Sequence, residues 1–231
     1  MCLHELVAPC GGPWGSTVVD SYFDAFIGEF VGDAAAYASF KKTPLWVELM
    51  EDWESTKLGY EPGEEAHIKL GNTLLSGDTD IDAIDSLNLR ERVSAFNASE
   101  DQTLRTRGKT TLVLPPELVE SFFEPALEPI ADKVAEVLSE HRIKQAFLVG
   151  GFAESKLLQT LAQQVVSKSI PAGAKASPTL TIPVRPGLAV LRGAVMFGQN
   201  PEVFASRKAR FTYGFNQADH YDKNNPIHQL P

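Results

Sequence analysis

The sequence predicts an α/β fold, because short apolar runs alternate with longer segments in which apolar residues recur every three or four positions. The clearest alternation lies in residues 145–165. Here the apolar run 146–149 has the length of a buried strand. It leads through Gly150 and Gly151 into a helical pattern with an apolar face of Leu157, Leu158, Leu161 and Val165. A hydrophobic content of 43% over 231 residues is enough for the core of one large domain or two small ones.

The first strand and the first helix are predicted near the N-terminus. Residues 3–7 favour a strand, and the segment 9–17 is a glycine-rich turn. We expect Ser16 or Thr17 to cap the helix that follows, because hydroxyl side chains at this position accept hydrogen bonds from free backbone N–H groups. The inner face of this helix is predicted to carry Val18, Tyr22, Phe23, Phe26, Ile27 and Phe30.

The next part of the chain is predicted to contain a second helix and two strands. The helix begins at Thr43-Pro44, with proline at its first position, and runs to about Leu58. We expect one strand over residues 66–70, where apolar and polar residues alternate as in an edge strand, and another over residues 110–114. The polar segment between these strands predicts loops and one short helix, with apolar positions at Leu87, Leu89 and Val93.

The remaining elements continue the alternation. A stripe of apolar residues at helical spacing predicts a long helix after Pro115. Beyond the Gly-Gly segment we expect a strand over residues 181–184, a helix over 186–197, a further helix over 200–207 and a strand that begins near residue 210.

Charge and cysteine content argue against several classes of function. A net charge of −9 argues against a nucleic-acid partner and against an anionic membrane surface. No apolar run approaches the roughly 20 residues of a membrane span, and no signal-peptide pattern is present. We therefore expect a cytoplasmic protein in which Cys2 and Cys10 stay reduced. The histidines show no spacing typical of a metal site.

The Gly150-Gly151 pair is a candidate ligand site. Two residues without Cβ atoms let a flat ligand approach the backbone closely, and a helix that begins nearby offers free N–H groups and a partial positive charge. A plain tight turn is the alternative interpretation. The segment is not a dinucleotide fingerprint, because Ser155 and Lys156 stand where a third glycine is needed. It is not a phosphate-binding loop either, because no Gly-Lys-Ser/Thr sequence follows.

Three stretches together resemble one family of ATPases. Residues 11–20 read Gly-Gly-Pro-Trp-Gly-Ser-Thr-Val-Val-Asp, which is similar to the second-lobe glycine turn of actin-like ATPases. Residues 147–154 resemble the adenosine motif of the divergent heat shock 70 kDa protein 12 branch, and residues 186–198 resemble its last ATPase helix. The order and the spacing of these motifs match that branch, and the resemblance extends over about residues 1–216.

The resemblance implies the second lobe of an actin-like, ribonuclease-H-like ATPase with an inserted smaller α+β subdomain. Residues 1–33 and 141–215 would form the core α/β subdomain, residues 34–140 the inserted subdomain, and residues 216–231 a loose tail. We expect the strand with the phosphate-gripping Asp-x-Gly-Gly-Gly-Thr motif, and the whole first lobe, to be missing. The chain is therefore expected to be a truncated form.

The resemblance also implies an adenine-nucleotide site. Gly150, Gly151 and Phe152 would contact adenine and ribose, while Glu54 and Lys57 match a ribose-contacting helix of the family. Their three-residue spacing places Glu54 and Lys57 on one helical face, where a solvated ion pair is the alternative. The phosphates would approach the first glycine-rich turn and the helix start at Gly11, Gly12, Gly15, Ser16 and Thr17.

Two positions depart from the family pattern and change the expected activity. Leu58 and Glu154 stand where arginines are common in the wider family, so we expect weaker or different base contacts. Catalysis in this family is mostly positioning and metal-assisted charge neutralisation between two lobes. We therefore expect ATP or ADP binding without turnover, with Mg²⁺ bound only in the complete two-lobed domain.

The expected protein partners are the clients of a chaperone or the missing first lobe. The alternative is a noncatalytic protein-interaction module, which would use the apolar face against which the first lobe would pack.

Overall fold

The structure is a computed structural model that describes residues 3–70, 89–100, 103–169, 177–214 and 223–224. It is a mixed α/β fold. The helices are α1 (Ser16–Val31), α2 (Ala34–Phe40), α3 (Pro44–Gly59), α4 (Leu89–Glu100), α5 (Pro116–Glu140), α6 (Lys156–Lys168) and α7 (Pro186–Gln199). The strands are β1 (Leu3–His4), β2 (Ala66–Lys69), β3 (Arg105–Arg107), β4 (Thr111–Leu114), β5 (Gln145–Phe147), β6 (Thr179–Thr181) and β7 (Phe204–Ser206). Short 3₁₀ turns occupy Gly151–Glu154 and Pro201–Val203.

The chain divides into two compact units, which consist of residues 11–196 and of residues 1–10 with 197–231. In the smaller unit, β1 pairs in parallel with β7. The backbone N–H of Lys208 donates to the Glu5 carboxylate at 2.7 Å. The candidate functional site described below lies wholly within the larger unit.

A cluster of aromatic side chains joins α1, α3 and α5 in the larger unit. Phe23 of α1 stacks on Trp53 of α3, with ring centroids 4.1 Å apart and planes inclined by 4°. Phe122 of α5 meets both rings edge-on, at 6.2 Å from Phe23 and 5.9 Å from Trp53. All three side chains are buried. Because aromatic rings remove large apolar areas from water, this cluster is a principal determinant of how the three helices pack.

A three-stranded antiparallel sheet in the order β2-β4-β3 adds to the same core. Ala66 and Ile68 of β2 are buried, whereas the intervening His67 is exposed. Across the ladder, Ala66 pairs with Leu114 and Ile68 with Leu112. The alternation in β2 therefore marks an edge strand with one face on the core, as the sequence predicts.

A second sheet consists of the parallel pair β5 and β6, in which Gln145 lies opposite Thr179 and Phe147 opposite Thr181. Helix α6 packs against both α5 and β6. The carboxyl end of β5 leads through Leu148 and Val149 to Gly150. The strand, the Gly-Gly turn and the helix thus follow one another in the predicted order.

The start of α1 differs from the prediction. Gly15 is its N-cap, and no side chain makes a capping hydrogen bond, so neither Ser16 nor Thr17 has the expected capping role. The reason is that Gly15 is extended and its carbonyl accepts the N–H of Val18 at 3.0 Å, which places Ser16 inside the first turn. Tyr22, predicted to face the core, is 47% exposed.

Three other predictions differ from the structure towards the C-terminus, and strand β3 was missed. The strand predicted over residues 181–184 is β6 at Thr179–Thr181, so the two ranges share only Thr181. The predicted helix over 200–207 is a single 3₁₀ turn followed by β7, because the chain becomes extended at Phe204 and pairs with β1. No strand forms over residues 210–214, the described part of the strand predicted to begin near residue 210. Strand β3 was predicted as loop. Leu87 lies outside the described residues.

Two further observations bear on the composition-based expectations. Cys10 is an exposed free thiol, whereas Cys2 lies outside the described residues. Within the described ranges, no helix combines the length and the apolar character that crossing a membrane requires.

Candidate functional site

A cavity of about 210 Å³ lies among the start of α1, the last turns of α3 and the turn after β5. Five of the residues predicted to contact a nucleotide line it, namely Ser16, Glu54, Lys57, Gly151 and Phe152. Its other lining residues are Leu58, Glu154 and Ser155. Segments that are distant in the sequence thus form one concave surface.

The Gly-Gly turn owes its shape to the backbone of Gly150. This residue has φ 102° and ψ 170°, a conformation that is essentially restricted to glycine. Its N–H donates to the carbonyl of Pro186, at the start of α7, at 2.9 Å. At Gly151 the position of a Cβ atom has no other atom within 4 Å. The first glycine therefore sets the turn, and the second leaves open space in the cavity wall.

Several contacts hold the 3₁₀ turn after Gly150 in place. The N–H of Ala153 donates to the carbonyl of Gly150 at 3.1 Å, and the side-chain amide of Gln159 donates to the carbonyl of Ala153 at 2.8 Å. Ala153 is buried, and the ring of Phe152 stacks on Phe123 of α5 with centroids 6.5 Å apart. This wall of the cavity is therefore attached to both α5 and α6.

Helix α6 does not begin at the Gly-Gly pair, contrary to the sequence-based expectation. The 3₁₀ turn intervenes, and α6 starts at Lys156. Ser155 is its N-cap, with the hydroxyl oxygen accepting the N–H of Leu158 at 3.5 Å. The buried Ser155 thus fixes the start of α6 by its capping hydrogen bond. This start lies one short turn beyond the glycines.

Lys57 is the central charged group of the opposite wall. Its side chain is only 3% exposed, and its ammonium contacts Glu54 Oε2 at 2.5 Å and Asp20 Oδ1 at 2.6 Å. The Glu54 side chain is 51% exposed and that of Asp20 is 25% exposed. Lys57 and Glu54 thus form an intrahelical pair at the predicted spacing, but a second carboxylate from α1 makes the ammonium part of a triad.

Asp20 is a residue that sequence reasoning did not assign to the site. Its Oδ1 accepts hydrogen bonds from both the Lys57 ammonium and the indole N–H of Trp53, the latter at 2.9 Å. Asp20 also follows Ser16 by four residues, which places both on one face of α1. The four-residue spacing from Ser16 is therefore a sequence signal by which Asp20 could have been assigned to the site.

The carboxylate of Glu154 lies beside the start of α7. Its Oε1 is 2.7 Å from the position that a Cβ atom would occupy at Gly187, so only glycine leaves room for it in this rotamer. Glu154 is exposed and lines the cavity. A carboxylate near the N-terminus of a helix is stabilised by the helix dipole. The site therefore carries a negative group where the wider family commonly has an arginine.

Comparisons with known proteins give one group of relatives. The chain is 27% identical to heat shock 70 kDa protein 12A of Homo sapiens over 223 residues, a match that covers 95% of this chain. The chain is homologous to the heat shock 70 kDa protein 12 branch. It is also 28% identical over 223 residues to protein 12A of Mus musculus, and 28% identical over 216 residues to protein 12B of Homo sapiens. These matches confirm the resemblance given by the motifs.

The chain spans about a third of the length of these relatives: 31% of each 12A protein and 30% of protein 12B. No family model and no solved structure matches the chain. The homology indicates a relationship to the ATPase domain of heat-shock-70-like proteins at low identity, and it suggests an actin-like fold.

The other residues that the heat shock 70 kDa protein 12 resemblance assigned to the site do not line the cavity. A Cβ atom at Gly12 would stand 2.5 Å from the indole ring of Trp14, so this glycine accommodates an aromatic side chain. Gly15 is the N-cap of α1, and the exposed Thr17 accepts the hydroxyl of Ser21 on its carbonyl. The remaining two are Gly11, which is exposed, and Gly150, whose part in the turn is described above.

Metal ligands do not cluster in the part of the chain that the structure describes. No group of three or more His, Cys, Asp or Glu side chains there could hold a metal ion. The acidic side chains at the cavity instead surround the Lys57 ammonium or lie beside the start of α7.

Proposed function

We propose that the cavity beside the Gly150-Gly151 turn holds the adenosine part of an adenine nucleotide. The observation that carries this proposal is at Gly151, which lines the cavity and has open space where a Cβ atom would stand. A flat base can lie against the backbone there. The homology to heat-shock-70-like proteins supports the same class of ligand.

The size and the lining of the cavity suit a nucleoside. The cavity volume of about 210 Å³ is below the roughly 300–1,000 Å³ of pockets that enclose a drug-sized ligand. It therefore fits part of a nucleotide better than the whole. Leu58 and Phe152 offer apolar surface for a base. The half-exposed Glu54 carboxylate can accept hydrogen bonds from sugar hydroxyls.

ATP and ADP are the proposed ligands, and Mg²⁺ would accompany the phosphates in a complete two-lobed domain.

Residues 34–140 are proposed as the inserted subdomain of such a lobe, between core segments 1–33 and 141–215. In support, α2 to α5 and the sheet β2-β4-β3 fall entirely within the inserted range. A cytoplasmic location and protein clients of a chaperone are part of the same proposal.

The 231 residues alone are proposed to bind nucleotide without hydrolysing it. Phosphoryl transfer needs cationic groups aimed at the developing negative charge. Among the described residues, the one ammonium that lines the cavity is that of Lys57, and it already contacts two carboxylates. Phosphate release from ATP in the presence of Mg²⁺ should therefore stay at the level of a buffer blank, and a reproducibly higher rate would contradict this part of the proposal.

Calorimetric titration with ADP and ATP in the presence of Mg²⁺ tests the binding proposal. The matched variants are Gly151→Val, which puts a side chain into the cavity, and Gly193→Val, which adds the same side chain in open space on α7. We expect Gly151→Val to weaken binding by roughly tenfold or more, about 1.4 kcal/mol, and Gly193→Val to leave it unchanged. No heat at millimolar nucleotide with the unaltered chain would overturn the proposal.

A noncatalytic protein-interaction module is the second candidate function. It is favoured by the apolar side chains that α7 exposes, among them Leu191 at 64%, Val195 at 57% and Met196 at 69%. Exposed apolar residues on one helix are typical of a surface that another protein covers. Sedimentation velocity of the unaltered chain and of Leu191→Ser tests this candidate. A concentration-dependent association that the substitution abolishes would support it, and an unaltered monomer at all concentrations would argue against self-association.

A further inference from the structure

We propose that this cavity prefers the nucleoside to its phosphorylated forms, and that Glu154 is the residue that sets this preference. The inference rests on the proposed adenosine site and specifies its ligand more narrowly. Two properties of the cavity support this preference: the charges of its side chains, and the hydrogen bonds that its carboxylates can still accept.

The first step concerns Lys57, the lining residue that would ordinarily attract a phosphate. Its ammonium contacts Asp20 at 2.6 Å and Glu54 at 2.5 Å, and its side chain is 3% exposed. An ammonium held between two carboxylates presents no net positive charge to a ligand. Lys57 therefore orders the carboxylates of this wall, and it does not create a site for an anion.

The second step concerns Glu154, which adds a carboxylate from the opposite side. In the described part of the chain, this carboxylate makes neither an ion pair nor a hydrogen bond, although it lies beside Gly187 at the start of α7. Among the described residues, Glu54, Glu154 and Lys57 line the cavity and Asp20 pairs with Lys57, which gives three carboxylates and one ammonium. These four side chains carry a net negative formal charge, which repels a ligand that carries phosphates.

The third step matches these groups to a ligand. Ionised carboxylates only accept hydrogen bonds. A nucleoside offers donors in its sugar hydroxyls and, for adenosine, in the exocyclic amine, whereas phosphate groups add acceptors and negative charge. The exposed carboxylates of Glu54 and Glu154 are therefore complementary to adenosine and opposed to the phosphates of ADP and ATP. The small cavity volume agrees with a ligand that has no phosphate chain inside it.

Calorimetric titration of the full chain with adenosine, ADP and ATP, without Mg²⁺, tests the preference. We expect adenosine to bind tightest and ATP to bind roughly threefold to tenfold more weakly, because like charges repel across a few ångströms. Raising the salt concentration should strengthen ATP binding, since salt screens repulsion. Tighter binding of ATP than of adenosine would overturn the inference and leave the proposed function standing. Absence of binding by all three ligands would overturn both.

Glu154→Gln and Glu48→Gln form a matched pair that assigns the effect to one residue. Both remove one exposed carboxylate, but Glu48 lies on α3 away from the cavity lining. We expect Glu154→Gln to reduce the ratio of adenosine affinity to ATP affinity by roughly threefold, and Glu48→Gln to leave the ratio unchanged. An equal change in both variants, or no change in Glu154→Gln, would contradict the assignment to Glu154. Circular dichroism would check that each variant is folded.

Discussion

The two walls of the cavity are built in different ways. The wall from α1 and α3 stands on the aromatic cluster, where Trp53 is fully buried and Lys57 is 3% exposed. The wall from the Gly-Gly turn follows the two-stranded β5–β6 sheet, in which Phe147 remains 60% exposed. The α1–α3 wall is therefore part of the folding core. The turn wall depends on one glycine conformation, a few hydrogen bonds and the packing of Phe152 on Phe123 at the edge of that core. Substitutions in the first wall should cost the most stability, and those in the second, apart from Gly150, should change mainly the site.

The largest expected effect is that of Trp53→Ala. The substitution removes a ring that stacks on Phe23 at 4.1 Å and also leaves Asp20 without its indole donor. We expect the free energy of unfolding to fall by ~3–5 kcal/mol, as measured by urea denaturation. The control is Val47→Ala on the same helix, where Val47 is 54% exposed, and it should cost less than ~0.5 kcal/mol. Similar losses in both variants would show that α3 has no distinct buried face.

Lys57→Met should have the next largest effect. It keeps most of the volume of the buried side chain but leaves the carboxylates of Asp20 and Glu54 without their shared cation. We expect a loss of about 2 kcal/mol, below the ~3–5 kcal/mol of a fully buried pair, because both carboxylates are partly exposed. Adding Asp20→Asn to this variant should restore part of the loss.

Lys133→Met is the control for the Lys57 variant. Lys133 pairs with Glu136 at the same three-residue spacing on α5, but its side chain is 32% exposed. We expect a change of less than ~0.5 kcal/mol in the free energy of unfolding. If the two lysine variants lose equal stability, the difference between a core wall and a surface pair does not hold at Lys57.

Gly150→Ala should be destabilising, whereas Gly151→Ala should be tolerated. At both positions a Cβ atom would meet no other atom within 4 Å, so neither substitution creates a clash. Gly150 alone has a positive φ, of 102°, and an alanine there would be strained by ~1–3 kcal/mol. Thermal unfolding of the two variants separates backbone strain from crowding. Equal melting temperatures would contradict the role assigned to Gly150.

The sequence predicts the helices and strands of the two walls better than the turns that connect them. Helix α3 begins at Pro44 and ends at Gly59 as expected, because proline at a first helical turn and glycine at a helix end are local signals. The 3₁₀ turn between Gly150 and Lys156 was not expected, since it depends on the φ of Gly150 and on the side chain of Ser155. These are choices among several conformations that the residue types alone permit.

In the site, the sequence likewise predicts contacts within one helix better than contacts between helices. The three-residue spacing of Glu54 and Lys57 predicts that they share a helical face, and they do form a pair. Asp20, the second partner of Lys57, lies 37 residues away in sequence, so only the packing of α1 on α3 brings it into contact. Likewise, the Trp14 ring beside Gly12 results from the path of the turn and not from any periodic pattern.

The smallest expected effect is that of Val190→Ser on α7, in the apolar surface that the alternative function would use. Val190 is 59% exposed, so the substitution should change the free energy of unfolding by less than ~0.5 kcal/mol.

Val119→Ser on α5 is the matched control for Val190→Ser. Val119 is fully buried, and a hydroxyl without a partner in an apolar core costs ~1–3 kcal/mol in addition to the lost apolar contacts. Urea denaturation of both variants compares an exposed position on α7 with a buried position on α5. A large loss for Val190→Ser in a monomeric sample would mean that α7 is covered in solution. The contrast between a buried helical core and an open α7 surface would then fail.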